Sequence, residues 1–489
     1  MNPSPEIEWI KLLGDLYPYS LNSSISLDEQ GYIYLTFCST PENYLQIAVL
    51  KMDPSGNIIW SNTSPTFNPV EEDGLKPRLK VDTQYVYVCY YSYGQIPDQT
   101  NKGNADIIVF KLNRMTGQII WNKQESSFNT SGGDFNPDLS VDLSGNIYVS
   151  YETRGTSEGG ERVGFVKDIV LFKLSDIGET VWIKQQTLFN TSQDDTRSNV
   201  GVDRVGNIYV SYETFGDVSG QDNTGESDIV LFKMNTDGDF LWVKQNSDFN
   251  TIRFERRSSL AVDSDGNSYL VYQSNIDDDN INLGFVVLKM DTNGNIVWIK
   301  KQESQYTLPF IDILPSIVLD TLGNIYITFH SFIQETSSYE LYVFELDSMG
   351  DVVWSFKYGS EINSQYPKIA VTDQGDIYIS FDSEITSPSI FYQVGISRFN
   401  KNSNNILRIL DMPDYLVQIL PEDQDEIDEI QRRYHVQFGN FANQMNFKYM
   451  IPIQFYLPIQ NMDRWVDDVL DHNRFMFSYY DYQMLTYYI

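Results

Sequence analysis

A tyrosine recurs seven times along this chain, and its spacing limits the folds open to it. Tyr34, Tyr87, Tyr148, Tyr209, Tyr269, Tyr326 and Tyr378 are separated by 53, 61, 61, 60, 57 and 52 residues. Three positions after each comes a second aromatic: Phe37, Tyr90, Tyr151, Tyr212, Tyr272, Phe329 or Phe381. Between them, two after the tyrosine, the residue is never large: Thr36, Cys89, Ser150, Ser211, Val271, Thr328 or Ser380. Large and small residues alternating with period two are what a strand needs when both its faces pack against neighbouring sheets.

The rest of each repeat is laid around that strand. Upstream, a short strand ends in Asp28, Asp82, Asp142, Asp203, Asp263 or Asp320, with Thr372 in the seventh copy. A tight turn follows, as in DLSGN, where Asp bonds nearby backbone and Gly supplies a positive φ. Downstream, runs such as DIVLFKL read as strands buried on both sides. A second tight turn leads to a strand carrying Trp60, Trp121, Trp182, Trp242, Trp298 or Trp354. Four short antiparallel strands repeated radially at this period predict an all-β, seven-bladed β-propeller over residues 1–411. The last copy ends in NILRIL (Asn405 to Leu410), which lacks the tryptophan. EIEWIKLLG, around Trp9, has no strand before it. It is expected to supply the outer strand of the seventh blade, closing the ring and removing a sheet edge.

Beyond the repeats, residues 412–489 are expected to form a small mixed α/β C-terminal extension. PEDQDEIDEIQRRYHV and NMDRWVDDVLDHNRF have helical spacing, and YMIPIQFYLPI is an apolar segment broken by two prolines. The tail is rich in exposed-type aromatics. Trp465, Tyr479, Tyr480 and Tyr482 are therefore candidates for docking a partner.

Charge narrows the partners. The 489 residues hold 67 acids and 34 Lys plus Arg, a net of −33. Self-repulsion of that size argues against sequence-independent nucleic-acid binding and against anionic membranes, and leaves another protein as the expected partner. Cys38 and Cys89 lie in predicted strands and read as small buried hydrophobes rather than a disulfide framework. The N-terminus has no basic segment followed by an apolar run, so a cytoplasmic or virion setting is expected, without a secretory signal.

Chemistry is sparse outside the repeat. Three histidines, His330, His435 and His472, sit in unrelated local settings, and no nucleophile, zinc, phosphate or dinucleotide motif is present. Neither a metal nor a cofactor is expected. DSDGNS and DTNGNI resemble calcium loops but coincide with the tight turns of the repeat. Lys51, Lys111, Lys173, Lys233, Lys289, Glu345 and Arg398 share one position in strand three. The better reading is that these lysines cover apolar surface and pair with a neighbouring acid.

Binding is expected on the face that carries the inter-blade connections and the long loops joining strands two and three. Asp134, Asp194, Asp195, Arg197, Arg253, Arg256 and Arg257 are its candidates, with the arginines suited to a carboxylate or phosphate. Phe128, Phe189 and Phe249, in the F-N-T connections, are candidates for stacking a glycan or for blade packing.

DIVLFKLxxxGxxxW together with GNIYVS resembles the SBBP-type β-propeller repeat family, itself similar in look to quinoprotein-like (PQQ-like) propellers. That resemblance covers roughly residues 7–411 and implies the fold, not an activity, since the family has no shared catalytic residues. The Asn/Ile/Tyr/Asp-rich texture also resembles proteins of large DNA viruses of amoebae. On these grounds the chain is expected to be a non-enzymatic protein-interaction scaffold. The alternatives are a propeller hydrolase or lyase with acids at its pore mouth, and a glycan-binding propeller.

Overall fold

The computed structural model describes residues 6–400, apart from short segments at 18, 41–43, 70–73, 276–282, 303–313, 334–337, 359–362 and 386–390, together with 436–438 and 453–455. It is an all-β propeller of seven four-stranded antiparallel blades. Strand β1 (Glu6–Leu12) comes first, followed by blade one, made of β2 (Ser20–Leu27), β3 (Ile33–Ser39), β4 (Gln46–Met52) and β5 (Ile58–Asn62). Blade two comprises β6 (Gly74–Val81), β7 (Tyr85–Ser92), β8 (Asp106–Asn113) and β9 (Ile119–Lys123). Blade three comprises β10 (Asp134–Val141), β11 (Ile147–Thr153), β12 (Asp168–Leu174) and β13 (Thr180–Lys184). Blade four comprises β14 (Asp195–Val202), β15 (Ile208–Thr214), β16 (Asp228–Met234) and β17 (Phe240–Lys244). Blade five comprises β18 (Glu255–Val262), β19 (Ser268–Asn275), β20 (Leu283–Met290) and β21 (Ile296–Gln302). Blade six comprises β22 (Ser316–Leu319), β23 (Ile325–Ile333), β24 (Ser338–Leu346) and β25 (Val352–Tyr358). Blade seven holds β26 (Ser364–Val371), β27 (Ile377–Ile385) and β28 (Phe391–Asn400), and β1 pairs with β28 as its outer strand.

The first strand of each blade packs against that of the next, and β26 packs against β2, so the first strands ring the axis. The second and third strands are buried on both faces, which explains their near-continuous apolar sequence. The recurring tyrosine is core with a polar tip: Tyr148 is fully buried and its hydroxyl donates to Asp142 Oδ2 at 3.0 Å. The same carboxylate caps the tight turn, accepting from the Ser144 and Asn146 amides at 2.9 and 3.0 Å. In DSDGNS, Asp263 is occupied in the same way by the Asp265 and Asn267 amides, the Asn267 side chain and Tyr269. Turn chemistry therefore accounts for the calcium-like spacing.

Consecutive blades are joined at their outer strands. The Trp121 indole lies against Gly178 in the next blade's outer turn, where a Cβ would come within 3.0 Å of the ring. Its Nε1 donates to the Asp176 carbonyl of the same turn at 3.3 Å. Trp60, Trp182, Trp242 and Trp298 repeat this contact, and Trp9 places its ring on Gly56 of blade one in the same way. Trp354 instead lies buried with its Nε1 on Glu345, at the joint to blade seven, whose outer strand is β1.

The lysine series belongs to this joint, although with a different partner from the acid read off the sequence. Lys173 Nζ donates to the Thr236 carbonyl of the next blade at 3.1 Å and lies 5.2 Å from the Tyr148 ring centre. Lys111 and Lys233 reach the Asp176 and Thr292 carbonyls in the same manner.

Phe128 and Phe189 are fully buried and Phe249 nearly so, and the first two stack on Phe172 and Phe232. These three rings are blade packing, not glycan platforms. The following asparagines, Asn129, Asn190 and Asn250, are buried and bond both backbone groups of Ile107, Ile169 and Ile229.

Residues 402–489 form a separate compact unit, of which the described part is two short paired strands, β29 (Val436–Phe438) and β30 (Ile453–Phe455). The expected helices, NILRIL, Trp465, Tyr479, Tyr480 and Tyr482 all lie outside the described residues.

Candidate functional site: a cationic funnel on the axis

The first strand is the most polar of each blade, as in SLNSSISL, GLKPRLKV, DTRSNVGV and SQYPKIAV. In six blades it is interrupted at one place by a β-bulge: after Leu21, Leu75, Phe135, Thr196, Arg256 and Gln365. The first bulged residue always has a left-handed backbone: Asn22 (φ 59°), Lys76 (49°), Asn136 (51°), Arg197 (55°), Arg257 (58°) and Tyr366 (51°). Asparagine tolerates this conformation, but for lysine, arginine and tyrosine it is strained by about 1–2 kcal/mol per residue. A bulge that recurs at such a cost re-aims a side chain. Here all six side chains line one axial cavity of about 520 Å³.

Residues two positions on along the same strands complete the wall: Arg78, Asp138, Asn199 and Lys368. Leu21, Leu314, Pro315, Tyr392 and Asp382 fill the remaining sectors. The funnel thus has five basic side chains (Lys76, Arg78, Arg197, Arg257 and Lys368) against two acidic ones, Asp138 and Asp382. That balance is the reverse of the whole chain, in which acids outnumber bases two to one.

A run of hydrogen bonds fixes the cations from blade to blade. Lys76 Nζ donates to Asn136 Oδ1 at 2.6 Å, and Asn136 Nδ2 donates to Glu152 at 2.6 Å. Glu152 also accepts the Arg197 amide at 3.1 Å and the Lys167 ammonium at 2.8 Å. The Arg197 guanidinium donates to Glu213 at 2.9 Å, and Glu213 accepts the Arg257 amide at 3.4 Å. Asp382 holds the corresponding place in blade seven and takes the Asn22 amide of blade one at 2.8 Å.

Burial acts on both charge types here. Lys368 is lowered to about 7, first by burial and then by the Arg78 charge. Asp382, itself buried, is raised to about 7 by burial, against the pull of the Asn22 and Ser23 amides and Lys368. Asp138 Oδ2 accepts the Val200 amide at 2.9 Å, and Oδ1 faces the Arg78 guanidinium at 3.8 Å.

Of the seven loop-face candidates read from the sequence, only Arg197 and Arg257 reach the funnel. Asp134 and Asp195 are buried structural acceptors for Thr130 and Thr191. Asp194 takes the Lys167 amide, Arg253 offers its carbonyl to Glu226, and Arg256 lies over Phe254 and donates to Gln273. Lys76, Arg78, Lys368, Tyr366, Asn22 and Asn136 went unread. A signal for them exists: two residues past Ser20, Gly74, Asp134, Asp195, Glu255 and Ser364, the aligned position is always Asn, Lys, Arg or Tyr. Among the described residues no group of three or more His, Cys, Asp or Glu is arranged to hold a metal ion.

No protein-family model matches the chain, and no curated protein matches it. Solved propellers do. The polysaccharide lyase Uly1 is 8% identical, with 77% of this chain and 89% of that chain covered and a TM-score of 0.44. An ulvan lyase is 11% identical over 68% of this chain and 80% of its own, with a TM-score of 0.43. The α-L-arabinanase of Penicillium chrysogenum is 11% identical over 54% of this chain and 92% of its own, with a TM-score of 0.35. At these identities the likeness is one of fold. It nevertheless corrects the reading of the chain as a non-enzymatic interaction scaffold. That reading rested on the absence of a motif outside the repeat, and the solved chains that match carry the names of lyases and hydrolases.

Proposed function

We propose that this propeller is an enzyme that draws an anionic, hydroxyl-rich substrate into the axial funnel and carries out acid–base chemistry on it there. The observation that carries this reading is the convergence of five basic side chains, three of them arginines, from blades two, four, five and seven on one cavity of a strongly acidic chain. An acidic exterior repels anions at long range, whereas a wall lined by Arg78, Arg197 and Arg257 favours them locally. Asn22 lines the cavity beside these side chains and offers an amide suited to a sugar hydroxyl. Lys368 and Asp382, on adjacent strands of blade seven, are both pulled toward neutrality, which suits proton transfer near pH 7.

The test is calorimetric titration of the intact chain with carboxylated, sulfated and neutral oligosaccharides at two salt concentrations, with product analysis in parallel. Salt-sensitive binding of an anionic sugar, lost in an Arg197→Ala/Arg257→Ala variant, is the expected result. Binding that is indifferent to substrate charge, salt and both arginines would overturn it.

A further inference from the structure

Resting on the reading of the funnel as the working site, we infer that His330 is the positioning residue for its blade-seven wall, and that protonation of its imidazole releases the Tyr366 bulge and so makes the shape of the funnel depend on pH. Bulges of the funnel are held from the preceding blade. Four residues after the recurring tyrosine, on the second strand of a blade, a side chain accepts the amide of the next blade's bulged residue. Glu152 does this for Arg197 at 3.1 Å, Glu213 for Arg257 at 3.4 Å and Asp382 for Asn22 at 2.8 Å. Blade six places His330 at the aligned position, and its Nδ1 accepts the Tyr366 amide at 3.2 Å.

Imidazole differs from the other acceptors in one respect. A carboxyl group keeps a lone pair for the amide whether or not it carries a proton. An imidazole does not. Because Nδ1 accepts, the proton of the neutral ring is on Nε2. A second proton goes to Nδ1, which then becomes a donor, and two N–H groups face each other across the same gap. Imidazole is also the side chain whose charge ordinarily changes between about pH 5 and 8. Of these four latches, the one in blade six is therefore the one that acid opens.

The surroundings accept the charged ring. His330 is buried, and its ring makes T-shaped contacts with Tyr339 and Tyr366, at 5.4 and 5.2 Å between centres. Both distances fall within the roughly 6 Å over which an aromatic ring attracts a cation, so the imidazolium keeps partners after the amide is lost. The charged groups at this end of the strands packed on β23 are Glu340 on β24 and Lys368 on β26, with Lys357, Asp382 and Glu384 on the strands beyond them. Glu340 holds Lys357 at 3.2 Å, and Glu384 accepts Asn363 Nδ2 at 2.8 Å.

Release of the amide acts on a strained residue. Tyr366 is held at φ 51° against two local preferences. Left-handed backbone is unfavourable for a residue with a Cβ, and the following Pro367 pushes the residue before it towards an extended conformation. With its amide released, the bulge relaxes towards the extended strand, in which successive side chains alternate between faces. Tyr366 lines the cavity and is 43% exposed, so its ring leaves its present aim. Acid thus loosens the blade-seven sector of the wall, while the Arg197 and Arg257 amides stay on carboxylates.

The experiment is amide hydrogen exchange of the intact chain at single-residue resolution, at about pH 5 and pH 8, with rates corrected for the intrinsic pH dependence of exchange. It needs no ligand, so the inference stands or falls separately from the substrate reading. Protection of the Tyr366 amide is expected to fall by about tenfold or more at the lower pH, as for a lost hydrogen bond, while the Arg197 and Asn22 amides change by less than about threefold. His330→Gln offers a carbonyl that does not titrate, and is expected to keep Tyr366 protected at both pH values. Tyr366 protection that follows Arg197 between the two pH values in the wild-type chain would overturn the inference. So would an undiminished pH dependence in His330→Gln.

Discussion

The Arg197 guanidinium lies 2.9 Å from the Glu213 carboxylate, on the strand adjacent to its own, and this contact holds one arm of the funnel rigid before any ligand arrives. The same carboxylate accepts the Arg257 amide, so one acid orients cations from two blades. Preorganisation of this kind reduces the entropy lost when an anion binds. Arg197→Ala is expected to weaken binding of an anionic oligosaccharide by about tenfold or more, as for a lost charge-assisted hydrogen bond, and to flatten its salt dependence. Arg197→Lys is expected to recover only part of the affinity, because an ammonium lacks the planar fork. Titration calorimetry at low and moderate salt reads both.

The pH profile of turnover follows from the blade-seven pair. Lys368 acts when deprotonated and Asp382 when protonated, and both titrate at about 7. Activity is therefore expected to be bell-shaped with a maximum near neutrality, falling on the acid side as Lys368 gains its proton and on the alkaline side as Asp382 loses its own. Asp382→Asn is expected to lower kcat and remove the alkaline limb. An unchanged profile in that variant would take the proton-donor role away from Asp382.

The strand-three lysines are expected to behave as structure. Lys173→Met removes the bond to the Thr236 carbonyl and the contact with the Tyr148 ring while keeping the apolar stem. A loss of about 1–2 kcal/mol in denaturant unfolding is expected, with anion affinity unchanged. A fall in affinity would extend the binding site to the outer joint.

Closure of the ring rests on Trp9, whose indole meets Gly56 of blade one and the edge of Tyr378 at 6.2 Å. Trp9→Ala is expected to cost roughly 2 kcal/mol, less than a fully buried tryptophan because the ring is half-exposed, and to lower the unfolding midpoint. Thermal and urea melts check this, and an unaltered midpoint would remove the strap role.

Asp195 offers a test of burial alone. Its carboxyl is fully buried and raised to about 7, against about 4 in an unfolded chain. The folded state holds the proton more tightly, so ionisation opposes folding. That opposition is absent below about pH 4, grows between about 4 and 7, and is complete above. Asp195→Asn, with the Thr191 hydroxyl turned to accept, is expected to raise stability by roughly 2 kcal/mol at pH 8 and not at pH 4.

Much of the fold was legible because its determinants are short-range. Asp142, Gly145, Asn146 and Tyr148 lie within seven residues and specify one turn and the strand it launches. Repeated seven times, that unit predicts blades, their number and their buried strands. The Trp121 strand was legible too, but not its partner, since Gly178 lies in the next repeat.

The site is different in kind. Lys76, Arg197, Arg257 and Tyr366 each stand alone in sequence, at least fifty residues from the next, and each local segment reads as an ordinary polar strand. Sequence alone determined that each blade would hold four antiparallel strands and that the second and third would be buried, because alternation and turn chemistry act between near neighbours. Only the tertiary structure decided that the first strands surround an axis and that their bulges turn Lys76, Arg197 and Arg257 inward beside Arg78 and Lys368. That outcome depends on closing the ring and on left-handed backbone at six distant positions, which no local pattern specifies.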